Sequence, residues 1–237
     1  MSLTRASCFF AMLIAASQFA TAAAQAQSPG KDNHGHMSEK GGVCVDAKPG
    51  EKLEGFGCWN IASREVSKFP AGALYWHLGK FTTKEAAEAA KGATGLVVEA
   101  EGRVWLFSFG PKDAAPRQGE KVATIGPLKM ISARSYGIVV SLAILPPGAK
   151  SVTHTHPGPE AWYMLAGEQC LETPEGASKA RAGESMTAPP NTPMKLTITG
   201  TSLRRSLVVV IHDSSRPRSI PTNEWKPSGA CDAGLSR

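Results

Sequence analysis

From Tyr136 onward the apolar positions come in short, β-branched runs, each cut off by turn formers. Gly137 to Leu145 is stopped by Pro146-Pro147-Gly148, and Ala161 to Ala166 by Gly167. Gln169 to Glu172 runs into Thr173-Pro174-Glu175-Gly176, and Met186 to Ala188, Lys195 to Thr199 and Leu203 to His212 follow. Many short strands at this spacing predict a barrel or sandwich over about residues 134–213. Residues 214–237, rich in Pro, Ser and Arg, predict an irregular C-terminal tail that straps onto it.

The texture upstream is different. Leu74 to Phe81 carries aromatic, β-favouring residues and predicts a strand; Thr83 then opens a helix of good formers, Lys84 to Lys91, closed by Gly92. Leu96 to Ala100 and Val104 to Phe109 flank Glu101-Gly102, a hairpin signature, and Lys121 to Ile125 adds another strand. Residues 43–130 therefore predict a small α+β unit, and the class of the whole chain is α+β, mainly β.

The first 26 residues pair Arg5 with an apolar or small stretch from Cys8 to Ala20 and small-x-small sites at Ala22 to Ala26. This is the pattern of a secretory signal peptide (1–26) and predicts a periplasmic or secreted protein. Residues 27–42 are polar and Gly-rich and predict a disordered leader. No later segment has the length of a membrane span, so no membrane contact is expected after cleavage. The formal net charge of +6 loses one unit with Arg5, leaving about +5 on a scattered distribution. Without a basic stripe or an aromatic stacking set, that charge argues against nucleic-acid binding. Setting Cys8 aside leaves Cys44, Cys58, Cys170 and Cys231, which in an exported chain allow two disulfides and three connectivities. Cys44 with Cys58, across a short Gly-rich loop, is the favoured pair, and Cys170 with Cys231 would then tie the tail to the barrel.

The chemistry concentrates in Thr153 to Glu160, THTHPGPE. On a strand, side chains two apart share a face, so His154 and His156 project together. Pro157-Gly158-Pro159 bends the chain and Glu160 starts the next strand. Two imidazoles and a carboxylate converging from adjacent strands suit a divalent transition metal such as Fe, Mn, Ni, Zn or Cu. Counting in twos from Glu160 turns Trp162 and Met164 inward as well, with Tyr163 and Leu165 on the other face. Lys195 and Arg204 are cations suited to an anionic substrate, though the pattern places neither in the cavity.

Gly148, His154, His156, Glu160 and Gly167 resemble the first motif of the cupin family at every fixed position. The resemblance implies a double-stranded β-helix, or jelly-roll, barrel with His154, His156 and Glu160 as metal ligands. It also implies edge-strand homodimers. The second cupin motif is matched at Gly183 and Pro189, with Asn191 in place of the turn glycine, but the position of the fourth ligand, a histidine in the family, falls on Met194. Met194 itself, His212 on the last barrel strand, or Cys170 would have to complete the shell; otherwise water does. The GPEAWY and EQCLETP segments and the aromatic N-terminal strand are similar to those of uncharacterised exported bacterial cupin-domain proteins.

The expectation from the residues and the resemblance together is a metal-dependent enzyme of the oxygenase, isomerase or lyase type acting on a small organic molecule. A non-catalytic periplasmic protein that binds or senses a metal or small ligand is the alternative, and a metal-free structural barrel is the third.

Overall fold

The computed structural model describes residues 44–48 and 51–234. The expected signal peptide and leader lie outside the described residues. By their chain contacts the described residues form one compact unit.

A six-stranded sheet forms the spine of the molecule. Its order is β1 (Val45–Asp46), β2 (Gly57–Val66), β7 (Tyr136–Leu145), β14 (Arg204–Asp213), β9 (Glu160–Ala166) and β12 (Ser185–Ala188). Apart from the parallel pair β1–β2, its neighbours are antiparallel. Facing it is a three-stranded sheet in which β10 (Glu168–Thr173) lies between β11 (Gly176–Arg181) and β13 (Lys195–Thr199). The short β8 (His154–Thr155) bridges to this sheet through His154 and Met194. These two sheets enclose the barrel interior.

The outer face of the spine is covered as well. A four-stranded sheet runs in the order β4 (Leu96–Ala100), β5 (Arg103–Gly110), β3 (Leu74–Phe81) and β6 (Glu120–Leu128). Its apolar face, with Trp76, Leu78, Phe107 and Ile125, forms one core with Leu142, Ile144, Leu207 and Val209 of the spine. Trp76 and Phe107 stack at 5.3 Å between centroids, a geometry worth about 1 kcal/mol beyond the area buried. The opposite face of this sheet is capped by α1 (Lys84–Ala90), whose Ala87 packs with Phe81 and Leu106.

This double coverage accounts for the pattern of β7. Its residues from Ile138 to Leu145 are all buried, because Leu142 and Ile144 meet the outer sheet while Ala143 meets the barrel interior. A strand covered on both faces reads as a continuous apolar run. β14 alternates in the same way: Leu207, Val209 and Ile211 point outward, and Val208 joins the interior cluster with Trp162, Leu171 and Met194.

Local signals account for most element boundaries. Thr83 caps α1 by accepting from the backbone N–H of Ala86 at 3.2 Å. Glu101 and Gly102 both take positive φ, 53° and 67°, as the two-residue turn between β4 and β5 requires. The expected strands over 74–81 and 195–199 match β3 and β13 residue for residue. Four strands lacked a sequence signal: the two-residue β1; β2, whose exposed Ser63, Arg64 and Glu65 break the alternation; β11, which buries only Ala180; and β15 (Ile220–Pro221). The last alters the picture of the tail, since β15 pairs with β8, Ile220 opposite Thr155 and Pro221 opposite His154.

Both expected disulfides are present, Cys44–Cys58 and Cys170–Cys231. No helix among the described residues is long and apolar enough to cross a membrane.

Candidate metal centre

The loop from His156 to Glu160 is held tightly against the barrel. Asn191 donates its backbone N–H to the His156 carbonyl at 2.8 Å, Ile211 to Pro159 at 3.0 Å and Asp213 to Pro157 at 2.9 Å. Gly158 lies in this clamp with φ 156°, and a Cβ there would run into the Ile211 carbonyl. Only glycine fits so close an approach. Asn191 takes φ 55°, the left-handed turn that the second motif assigns to glycine and that asparagine tolerates.

That backbone brings together His154, His156 and Glu160, whose ligand atoms all lie within 4.8 Å of one another. The two imidazole rings meet edge to face at 4.9 Å. His154 donates Nδ1–H to the Val152 carbonyl at 2.9 Å, and His156 donates Nδ1–H to the Arg218 carbonyl at 2.6 Å. Because a carbonyl only accepts, each hydrogen bond fixes the neutral tautomer that leaves Nε2 as the lone-pair atom. Metal-binding histidines are oriented in this way. Burial lowers the His154 pKa, and this outweighs the opposing charge of Glu160, so its ligand-competent neutral form is favoured. Burial lowers that of His156 too, but the Glu160 carboxylate and the Arg218 carbonyl outweigh it and the net shift is upward.

His156 Nε2 and Glu160 Oε2 lie 2.9 Å apart as a buried pair, and neither atom has any other partner. A buried ionisable pair with no further hydrogen bonds is expensive. A cation between them satisfies both, and a set of two imidazoles and a carboxylate has the chemistry a divalent transition metal requires. On this test the donor set fits a metal.

The other candidate ligands are placed differently. Met194 is fully buried and lines the same cavity as His154, Glu160 and Trp162. His212 lies outside the three-residue cluster, donates Nδ1–H to the Asp213 carbonyl at 2.9 Å, and packs over Gly137. Cys170 is taken by its disulfide with Cys231. Trp162 faces inward with Glu160, and Tyr163 and Leu165 pack on the outer core, as the period of two predicts.

Two contributors were not placed at the site by the sequence. One is Arg218, whose backbone carbonyl orients His156; nothing in a Pro- and Ser-rich tail signals a carbonyl's role. The other is Arg204, which lines the cavity and is 1% exposed. It lies an even number of residues before the inward-facing Val208, so the alternation of β14 carried the signal.

Residues 141–211 match the Cupin_2 family, described as a cupin domain. No curated protein matches the sequence. Among solved structures, a DMSP lyase from Ruegeria pomeroyi DSS-3 is 19% identical, with 38% of this chain covering 45% of that one at a TM-score of 0.33. A cupin-like protein from Thermotoga maritima MSB8 is 18% identical over 40% of this chain and 68% of its own, with a TM-score of 0.33. A structure of oxalate oxidase is 18% identical over 36% of this chain and 46% of its own, with a TM-score of 0.32. The chain thus spans less than half the length of the DMSP lyase and the oxalate oxidase. With the first motif intact from Gly148 to Gly167, a β barrel around it and the family match over 141–211, the chain carries a cupin domain over those residues.

Proposed function

We propose that this chain is an exported, divalent-metal-dependent enzyme of the oxygenase, isomerase or lyase type acting on a small organic molecule. His154, His156 and Glu160 hold the ion, which is Fe, Mn, Ni, Zn or Cu. The observation that carries this reading is the convergence of His154, His156 and Glu160, whose ligand atoms lie within 4.8 Å of one another in a largely buried site. When bound, such an ion supplies Lewis-acid polarisation of a substrate oxygen. The carbonyls of Val152 and Arg218 keep both Nε2 atoms aimed at it, while Trp162 and Met194 give the adjoining cavity an apolar, water-poor wall. Three protein ligands leave positions open for exchange, as a catalytic site needs. Export is supported by two disulfides, which persist in oxidising compartments, and by the signal-peptide pattern of residues 1–26.

Elemental analysis of the mature protein, purified without chelator, tests the metal. The expected result is one divalent ion per chain, lost in both His154→Ala and Glu160→Ala. A wild-type protein that takes up none of Fe, Mn, Ni, Zn or Cu overturns the reading.

Met194 at the fourth-ligand position favours a second reading, a non-catalytic periplasmic protein that binds or senses a metal or small ligand. Co(II) loading separates the two. A spectrum that responds to added ligands reports exchangeable positions and supports catalysis; a closed, unresponsive site supports sensing.

A further inference from the structure

The cavity next to the triad has a second polar end. It is lined chiefly by apolar side chains, among them Ala143, Trp162, Met194, Leu196 and Val208, yet Arg204 is part of the same lining. Arg204 is 1% exposed. Its Nε donates to Gln169 Oε1 at 2.8 Å, while one terminal nitrogen, NH2, is buried without any partner. No carboxylate lies within ion-pair distance of Arg204 among the described residues; the nearby Glu160 is turned to His156. The other cation on the wall, Lys150, already pairs with Asp232 at 2.8 Å.

A fully buried charge without a counterion is among the costliest features a fold can carry. Gln169 offsets part of that cost and holds the guanidinium in one orientation. Burial lowers the Arg204 pKa to about 9, so the group is still charged at neutral pH. Its position is also built in: a Cβ on Gly167 would meet the Arg204 Cα at 2.7 Å, so the last glycine of the first motif is what lets the start of β14 settle where it does.

We propose that Arg204 is the anchor for the carboxylate of a small organic acid, bound in this cavity with its other end toward His154 and Glu160. The proposal rests on the functional reading above and names its substrate class. The cavity of about 70 Å³ sets the size. A cavity of about 150 Å³ holds a six-carbon ring, so about half that volume admits roughly three or four heavy atoms. The apolar wall favours a ligand with one charged end over a fully hydrated oxyanion such as phosphate. A guanidinium matches the planar carboxylate geometrically and strengthens such a bond through charge.

The test is ligand binding to the chelator-treated mature protein, read by NMR from the Arg204 side-chain N–H and the Trp162 indole N–H. This readout needs neither metal nor turnover. Acetate is expected to shift both resonances and to bind at least tenfold more tightly than acetamide, its neutral counterpart of the same shape, and than inorganic phosphate. Arg204→Met is expected to lose at least tenfold in acetate affinity, with Arg204→Lys recovering part of it. If acetate leaves both resonances unmoved at about 100 mM, or acetamide or phosphate binds as well as acetate, the proposal fails. Wild-type acetate affinity in Arg204→Met also overturns it. Should that variant not fold, the acetate and acetamide comparison in the wild type decides alone. Failure of the metal reading appears separately, as absent metal in the wild-type protein, whatever acetate does.

Discussion

His154 in β8 and Met194, the residue before β13, face each other and exchange both backbone hydrogen bonds, at 3.1 and 2.9 Å. Both line the cavity at the triad. The residue that replaces the family's fourth ligand is therefore held in register with the first ligand, and only its side chain differs. A thioether is a weak ligand for Fe, Mn or Zn, whereas an imidazole suits all three. Met194→His is expected to raise Zn affinity at least tenfold, while Met194→Leu leaves it within about twofold. Competition against a chromophoric chelator measures both. An unchanged affinity in Met194→His would show that position 194 does not reach the ion.

Gly158→Ala tests whether the clamp on the loop sets the ligand geometry. The added Cβ is driven against the Ile211 carbonyl, which moves the loop off β14 and Glu160 away from His156. Overpacking of this kind costs about 1–3 kcal/mol. The melting temperature is expected to fall and metal affinity to drop at least tenfold. Ala149→Gly, at the far wall of the cavity, serves as a control that should lower stability without a comparable loss of metal.

These two outcomes bear on how far the chain could be read in advance. His154, His156 and Glu160 were legible because a period of two and a Pro-Gly-Pro bend are local properties, and strand alternation maps directly onto faces. Most strands of the barrel, β11 excepted, were legible for the same reason. β2 was not, because its pairing with β7 spans some eighty residues of sequence and its polar half mimics a loop. Arg204 fell between the two cases. Its face could be counted from the alternation of β14, but its missing partner is a property of the packed interior, where Glu160 is turned to His156 and Lys150 is occupied by Asp232. The Cys170–Cys231 bond ties the tail to β10. The tail's backbone contact with His156 could not be read, since any residue at position 218 would present the same carbonyl.

That contact makes the tail a part of the proposed metal centre. A chain ending at residue 216, with Cys170→Ser to remove the unpaired thiol, loses the Arg218 carbonyl that fixes His156 and the β15 partner of His154. Loss of a hydrogen bond that orients a ligand typically costs 10–100-fold in metal affinity. Isothermal titration with Zn is expected to show a loss of that size, while the Cys170→Ser, Cys231→Ser variant of full length retains most of the affinity. Equal affinity in the truncated and full-length variants would remove the tail from the site.

Glu172 is what holds the far end of that tail. It is 2% exposed and accepts from Ser228 Oγ at 2.7 Å, the Gly229 N–H at 2.9 Å and the Cys231 N–H at 3.5 Å. Burial alone would raise its pKa, but these donors outweigh burial and hold it below the usual carboxylate value. A carboxylate whose pKa is lower in the folded state contributes stability above its unfolded value, roughly pH 4.3, and loses that contribution as the pH falls through the folded value. Glu172→Gln is therefore expected to lower stability by about 1–2 kcal/mol at pH 7. The gap to wild type should narrow below about pH 4 as the wild-type carboxyl takes up its proton. Urea denaturation of both proteins at pH 7 and pH 3.5 measures the gap. A gap that stays constant across that range would mean that the charge on Glu172 does not hold the tail.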